Sequence, residues 1–437
     1  MVGVNFTESV KYLYSLGNEV EAMKLGLKNI ERLLTALGNP QNNFLKVQVA
    51  GTNGKGSVCA FLDAICISAG IETGLYTSPH LILITERVRI NGRDISKEDF
   101  ARHATLVRGA TDRLLEAGEL NSIPTFFEQV TAIALNVFAE TNVELAILET
   151  GLGGRLDATT AANAEIAAIT QIDYDHQEYL GNTLTEIAAE KAAIIHEGSR
   201  AVIGEQIPEA ERVLLERCAT FGIEPALASR LAVTVDGNTT GRECVLLSQV
   251  ETRSLPLVFP PLTLGLLGRH QIENAKVSIL LAEELQSRFP ITTEHIIYGL
   301  ENACHPGRLE YQGRFLFDGA HNIAGAKALR EFLDEFEKRP ITLVFGAMKG
   351  KPIAEIAEIL FAKADKIILT QPDNSRAMTA DELAGIASNH VDRDRCFLTQ
   401  TVTEAIGKAD EIADADSIIL ITGSLYLVGE AKRILNN

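Results

Sequence analysis

Short apolar runs alternate with longer segments whose apolar residues recur at helical spacing along most of the chain. That alternation predicts an α/β fold with largely parallel sheets, because a parallel strand pair needs a crossover, usually a helix. In the first part of the chain the predicted strands are residues 45–50, 71–76, 143–149, 166–172 and 200–204. Residues 229–264 interrupt the pattern with polar alternation, glycine and proline, and predict β-rich structure and connections. A second set of strands is predicted at 315–317, 341–345, 366–370, 396–399 and 417–422, with helices such as 324–336 and 380–391 between them. This second set, of ~130 residues, is large enough to fold as its own domain. Pro306 and Gly307 punctuate the chain just before it, so two domains are expected, residues 1–305 and 306–437.

The segment 44–57, FLKVQVAGTNGKGS, joins a buried-strand pattern to a glycine-rich turn and then to an apolar helix pattern from Val58. Gly51, Gly54 and Gly56 let successive backbone N–H groups point inward at phosphate oxygens, and the following helix adds its positive end. Lys55 supplies a full charge, and Ser57 a hydroxyl within reach of a phosphate-bound metal. The spacing is tighter than GxxxxGK[ST], with Gly56 between the lysine and the serine. A nucleotide triphosphate fits this order; a glycine-rich loop with a surface lysine is the plainer alternative. The first domain is therefore expected to be P-loop ATPase-like with a mainly parallel sheet, and the second a smaller Rossmann-like α/β domain.

Other polar residues stand where ligands of open α/β sheets bind, just beyond strand ends. Glu149 closes the run 143–149 and is followed by GLGGRLDA, so it is placed to hold Mg²⁺ or its waters, or to cap the strand. Arg155 and Asp157 can address a substrate or pair with each other. His176 follows the run 166–172, and Ser78 follows 71–76 in a turn-like TSPH. Residues 183–197 read as one helix, opened by a Thr183/Glu186 capping box and stopped by Gly198. Lys191 lies on its apolar stripe with Ile187, Ala188, Ile194 and Ile195, so it must snorkel, pair or be chemically altered. Asn274 can bond an adenine edge or cap a helix, and Asp318 with His321 repeats the strand-end arrangement in the second set, with Arg308 nearby.

Composition narrows the function. The 437 residues carry a net charge of −18, which argues against a nucleic-acid partner and requires a local basic pocket for any anionic substrate. No apolar run is long enough to span a membrane. Residues 1–30 carry several charges and no apolar core of a secretory signal. The six cysteines are scattered without a CxxC pair, so neither zinc nor a disulfide framework is indicated, and a reducing cytoplasm fits best.

The ordered set GTNGKGS (51–57), YTSPHL (76–81), ERVRING (86–92), TFFE (125–128), ETGLGGRLDAT (149–159), DH (175–176), EKAAII (190–195), HQIENA (270–275), PGR (306–308) and DGAHN (318–322) resembles the Mur ligase superfamily of ATP-dependent amide-forming ligases. Within it the chain is similar to the folylpolyglutamate synthase/dihydrofolate synthase family. That resemblance implies ATP contacts from Thr52, Asn53, Gly54, Lys55, Gly56, Ser57, Asn274, Arg308 and Asp318. It implies Mg²⁺, at two sites, on Ser57, Ser78, Glu149 and His176, with a monovalent cation as a further candidate. Lys55, Lys191 (as a carbamate) and His321 would be catalytic. Phe127, Glu128, Leu156, Asp157 and Ala158 would line the pterin side. The substrates implied are dihydropteroate or a reduced folate, L-glutamate and ATP, and the expected state is a monomer. Thr160 and Ala193 stand where the family usually has Asn and Gly, which bears on substrate preference. A cell-wall amino-acid ligase is the rival within the superfamily; the roughly 50 residues before the phosphate loop favour the folate branch. A nucleotide-binding switch would need neither Lys191 nor DGAHN.

Overall fold

The computed structural model describes residues 5–17, 26–231, 250–251, 256–257, 262–387 and 393–436. They fall into two units: one holds the described residues up to 231 together with 250–251, 256–257 and 273–303, the other 262–272 and 304–436.

The first unit is built on an eight-stranded sheet. Its strands are Leu45–Ala50 (β1), Thr73–Tyr76 (β2), Val88–Ile90 (β3), Arg93–Asp94 (β4), Leu145–Glu149 (β5), Ile166–Ile169 (β6), Arg200–Ile203 (β7) and Ala226–Leu227 (β8). Their order is β4-β3-β2-β5-β1-β6-β7-β8. From β2 to β8 all pairs are parallel, as expected; β3 and β4 add an antiparallel edge that the apolar pattern did not predict. Every residue of β5 is buried, so the near-continuous apolar run reflects a strand covered on both faces. One face packs a cluster including Leu33, Phe100, Ile133, Phe138 and Leu148; a separate cluster around Ile169, Ile187, Ile195 and Leu214 lies by β6 and β7.

One sequence expectation is corrected. The helix read over 183–197 is Leu184–Ala192, although its capping box is intact. Beyond Ala192 the amides of Ile194 and Ile195 turn to carbonyls three residues back, which swings both isoleucines into the core. The apolar stripe continues because the turn is buried, not because the helix does. Of the region 229–264, the described part includes the antiparallel pair Val250–Glu251 (β9) and Pro256–Leu257 (β10); the rest of that expectation lies mostly outside the described residues.

The second unit carries a six-stranded sheet of Glu310–Gln312 (β11), Phe315–Phe317 (β12), Ile341–Phe345 (β13), Lys366–Leu369 (β14), Cys396–Leu398 (β15) and Ile418–Thr422 (β16), in the order β11-β12-β16-β13-β14-β15. All pairs are parallel except the β11–β12 hairpin. Leu316, Leu329, Leu343, Ile367 and Leu420 form its core. The predicted helices are Ile323–Phe336 and Ala380–Ala387; residues 388–391 of the latter expectation lie outside the described ones.

In the first unit the helix Lys55–Ser68 is fixed from outside the sheet by the helix Thr293–Asn302. A Cβ on Gly299 would overlap the backbone nitrogen of Ile65. Alanine would gain about 1 kcal/mol of helix propensity, but backbone cannot rotate away as a side chain can. Gly299→Ala is therefore expected to cost roughly 2 kcal/mol net, read as a lower urea midpoint at unchanged m-value. An unmoved midpoint would mean that this helix pair has slack.

Candidate active site

The register of β5, β1 and β6 sets three loops side by side. Val49 pairs with Glu149, and Ala50 with Ile169, so the segments after Ala50, Glu149 and Ile169 leave the sheet together. β2 lies beyond β5, with Tyr76 opposite Leu148, and delivers Ser78 to the same end. This is the carboxyl edge where open parallel sheets bind ligands.

The loop 51–57 is held from beneath. Thr52 and Asn53 amides donate to the Gln171 carbonyl, and the Thr52 hydroxyl and Asp173 backbone bond each other at 3.0 Å. The Thr170 hydroxyl donates to the Asn53 carbonyl at 2.7 Å and occupies the space a Cβ on Gly51 would need. Gly54 takes φ +87° as it turns into the helix that starts at Lys55, and the Asn274 amide group lies where a Gly54 Cβ would stand. Lys55 Nζ donates to the Gly51 and Thr52 carbonyls at 3.1 and 3.2 Å. Gly56 and Ser57 are buried in the helix's first turn.

Lys191 meets the same loop. It is 4% exposed, and its Nζ donates to the Gly51 carbonyl at 2.7 Å. Burial lowers its pKa from 10.5 to about 7; the charge of Lys55 pushes the same way, while Asp175 and Asp157 oppose it. Of the three fates open to it in sequence, snorkelling is ruled out by its exposure.

Glu149 is buried at the end of β5, and its Oε2 accepts the Ser78 amide at 3.1 Å. His176 follows β6 with φ +49° and is half-buried beside Asp175, whose Oδ1 accepts the His176 amide at 2.9 Å. Among the described residues no three His, Cys, Asp or Glu side chains converge as a metal cage. The donors fit Mg²⁺ in another way, since that ion keeps several waters and substrate phosphates and needs only one or two carboxylates. Glu149 with the Ser57 and Ser78 hydroxyls would supply that hard-oxygen set.

Asp157 does not pair with Arg155. Its Oδ2 accepts the Gly151 and Leu152 amides at 2.8 and 3.0 Å, and its Oδ1 the Thr159 amide and hydroxyl. Arg155 turns to Glu190 at 2.9 Å instead. The carboxylate thus shapes the GLGGRLDA loop, which carries half-buried Leu156 and buried Ala158. The ring of Phe127 lies over Gly151 and 6.0 Å from Tyr76, and Glu128 closes a capping box on Thr125. Sequence reasoning missed the group beside them. Tyr14 stacks on Phe126 at 5.5 Å, and buried Arg87 donates from Nε to His80 Nδ1 at 2.8 Å. Because arginine only donates, His80 is the Nε2–H tautomer and donates to the Tyr14 hydroxyl at 3.0 Å. Burial and Arg87 hold its pKa down at about 3. The YTSPHL and ERVRING motifs named two of these residues without showing that they meet.

In the second unit Asp318 is buried at the end of β12. Its Oδ2 accepts the Leu309 amide at 3.0 Å and its Oδ1 the Ala320 amide at 2.9 Å. Burial raises its pKa, and the charge of Arg308 partly offsets the rise. His321 donates from Nδ1 to the Gly319 carbonyl at 2.8 Å, and Asn322 caps the next helix.

This arrangement has known counterparts. Residues 49–282 match the Mur ligase middle domain, and residues 307–425 the Mur ligase glutamate ligase domain. The chain is 34% identical over 425 residues to the dihydrofolate synthase/folylpolyglutamate synthase of Bacillus subtilis, covering 94% of this chain and 95% of that one.

The chain belongs to the Mur ligase family.

Its place there is with the folylpolyglutamate and dihydrofolate synthases. A Mycobacterium tuberculosis folylpolyglutamate synthase structure complexed with ADP superposes with a TM-score of 0.90 at 30% identity, covering 99% of each chain. The chain spans about half the length (49%) of an archaeal relative from Halobacterium salinarum, a probable bifunctional folylpolyglutamate synthase/dihydropteroate synthase, at 34% identity over 414 residues and 94% of this chain.

The Lys191 amine gives this Mur-type site a pH signature. Below pH 7 the folded and unfolded chains both hold its proton, and the cost of burying the charge is complete. Between about 7 and 10.5 only the unfolded chain holds it, so stability rises with pH. Lys191→Met removes that cost. In CO₂-free buffer its gain in urea midpoint over the parent is expected to be largest at pH 6 and to shrink by pH 9. An equal gain at both pH values would mean that the amine titrates normally.

Proposed function

We propose that this chain is an ATP-dependent ligase that joins L-glutamate to dihydropteroate and to the γ-glutamyl tail of reduced folates. The observation that carries this reading is the pair of lysines, Lys55 and Lys191, on the carbonyls of one phosphate loop at a parallel sheet's carboxyl edge. In a chain of net charge −18, Lys55 supplies the local positive charge an anionic substrate requires. The Bacillus subtilis relative is named for both activities, and the Mycobacterium tuberculosis neighbour binds ADP.

In this reading Thr52, Asn53, Gly54, Lys55, Gly56 and Ser57 hold the triphosphate, and Asn274, Arg308 and Asp318 hold the rest of the nucleotide. Ser57, Ser78, Glu149 and His176 would hold Mg²⁺. A magnesium ion there would offset the negative charge that builds on the transferring phosphoryl group. A carboxylate is a poor electrophile, so its oxygen first takes the γ-phosphoryl group of ATP, giving an acyl phosphate and releasing ADP. The glutamate amine then attacks, forming the amide and releasing phosphate. Lys55 stabilises the phosphoryl charge. Phe127, Glu128, Leu156, Asp157 and Ala158 are assigned to the pterin side, with Phe127 offering a ring face and Asp157 keeping its loop in shape. His321 is assigned to the reaction centre, with its Nδ1 held on the Gly319 carbonyl.

Carbamylation of Lys191 belongs to the same reading. A neutral amine adds to CO₂ and releases a proton, and a pKa of about 7 leaves a large neutral fraction at physiological pH. The domain assignment follows: residues 1–305 as ATP-binding and pterin domain, 306–437 as glutamate ligase domain. The chain is taken to act as a cytoplasmic monomer; among the described residues no helix is long and apolar enough to cross a membrane.

Phosphate release from ATP with Mg²⁺ and L-glutamate tests the reading. Turnover is expected with dihydropteroate and with tetrahydrofolate, and Lys191→Ala is expected to lower kcat by roughly 10²-fold or more. Turnover with one acceptor alone would restrict the chain to one step. Turnover only with a UDP-muramoyl acceptor would move it to the cell-wall ligases.

A further inference from the structure

The loop before β11 is held in an unfavourable shape. Leu309 is buried with φ +45°, a left-handed conformation that bulky residues rarely take, and Gly307 two residues earlier has φ +75°. Arg308 lies between them. Something must hold this backbone, and three contacts do. Asp318 accepts the Leu309 amide at 3.0 Å, and the Gly307 carbonyl accepts the Gly319 amide at 2.9 Å. The third comes from Glu310, whose Oε2 accepts the Gly307 amide at 2.7 Å.

Glu310 is itself held. Both its carboxylate oxygens accept from Lys432 Nζ at 2.5 Å. Lys432 lies in the C-terminal helix Leu425–Leu435, only 8% exposed, with its ammonium 5.4 Å from the centre of the Phe317 ring. A charge-assisted bond on a shielded pair is stiffer than one on an exposed pair. Nothing in the ligase chemistry calls for this pair, and no sequence motif marked it.

We propose that Glu310, anchored by Lys432, is a positioning residue that sets the backbone of residues 307–309 and so aims Arg308 at the nucleotide. The proposal rests on the reading of Arg308 as a nucleotide contact. Glu310 touches no substrate and acts only through that arginine.

Steady-state kinetics on the full chain with ATP varied separates the outcomes. Glu310→Ala is expected to raise KM for ATP about tenfold with a smaller fall in kcat. Because Glu310 acts through Arg308, the double variant Glu310→Ala/Arg308→Ala should match Arg308→Ala alone within about twofold. A structural role without aim would lower the active fraction, and so kcat, and leave KM in place. If Arg308→Ala raises KM for ATP and Glu310→Ala does not, the positioning role is overturned and the Arg308 reading stands. If Arg308→Ala also leaves KM unmoved, both fall. Should Glu310→Ala fail to fold by circular dichroism, Lys432→Met is read instead. It leaves the Gly307 amide its acceptor, so about a threefold rise in KM is expected, reversed in Lys432→Arg; no rise overturns the proposal.

Discussion

Lys191 donates to the Gly51 carbonyl at 2.7 Å across 140 residues of sequence, from a position with almost no access to water. An ammonium in such a place is costly unless something compensates it. One backbone carbonyl and two carboxylates at a distance lower that cost without removing it, which is why the pKa falls to about 7. Lys55, bonded to the same carbonyl, adds repulsion. Loss of the Lys191 proton discharges this electrostatic tension, and a buried lysine destabilising in isolation becomes intelligible as the neutral amine the proposed carbamylation needs.

The sheet makes that tension possible. β5, β1 and β6 are adjacent and parallel, so Glu149, Gly51 and Thr170 emerge within two residues of each other in register. Each loop then braces its neighbour: Thr170 bonds Asn53, Gln171 receives Thr52 and Asn53, and Ser78 bonds Glu149. The second unit applies the same logic on a smaller scale, where Asp318 and Glu310 hold the strained backbone around Arg308.

Much of this was legible in the sequence because it depends on local pattern. The run that ends in Glu149 reads as a strand because five consecutive residues are covered on both faces. Lys191 stands out because helical spacing sets it among isoleucines. What pattern could not supply is any partner distant in the chain. The Gly51 carbonyl as acceptor for Lys191, Thr170 beneath the loop, and Lys432 on Glu310 each join segments whose spacing carries no period. The helix end after Ala192 was missed for a related reason, since a buried turn and a helix can both show an unbroken apolar stripe. The Arg155–Asp157 alternative failed because Asp157 is satisfied by the amides of its own loop, which a side-chain reading does not see. Residues 262–272 pack with the second unit although they precede Pro306, a nonlocal fact again.

Calorimetric titration with a non-hydrolysable ATP analogue, comparing the parent chain with Lys55→Met in the presence of Mg²⁺, tests most directly whether the loop 51–57 is a triphosphate site. Binding is expected to weaken at least about tenfold, since one charge-assisted contact to phosphate is worth roughly 1.5–3 kcal/mol. Equal affinity in the two proteins would contradict it, leaving Lys55 as a structural lysine on two loop carbonyls.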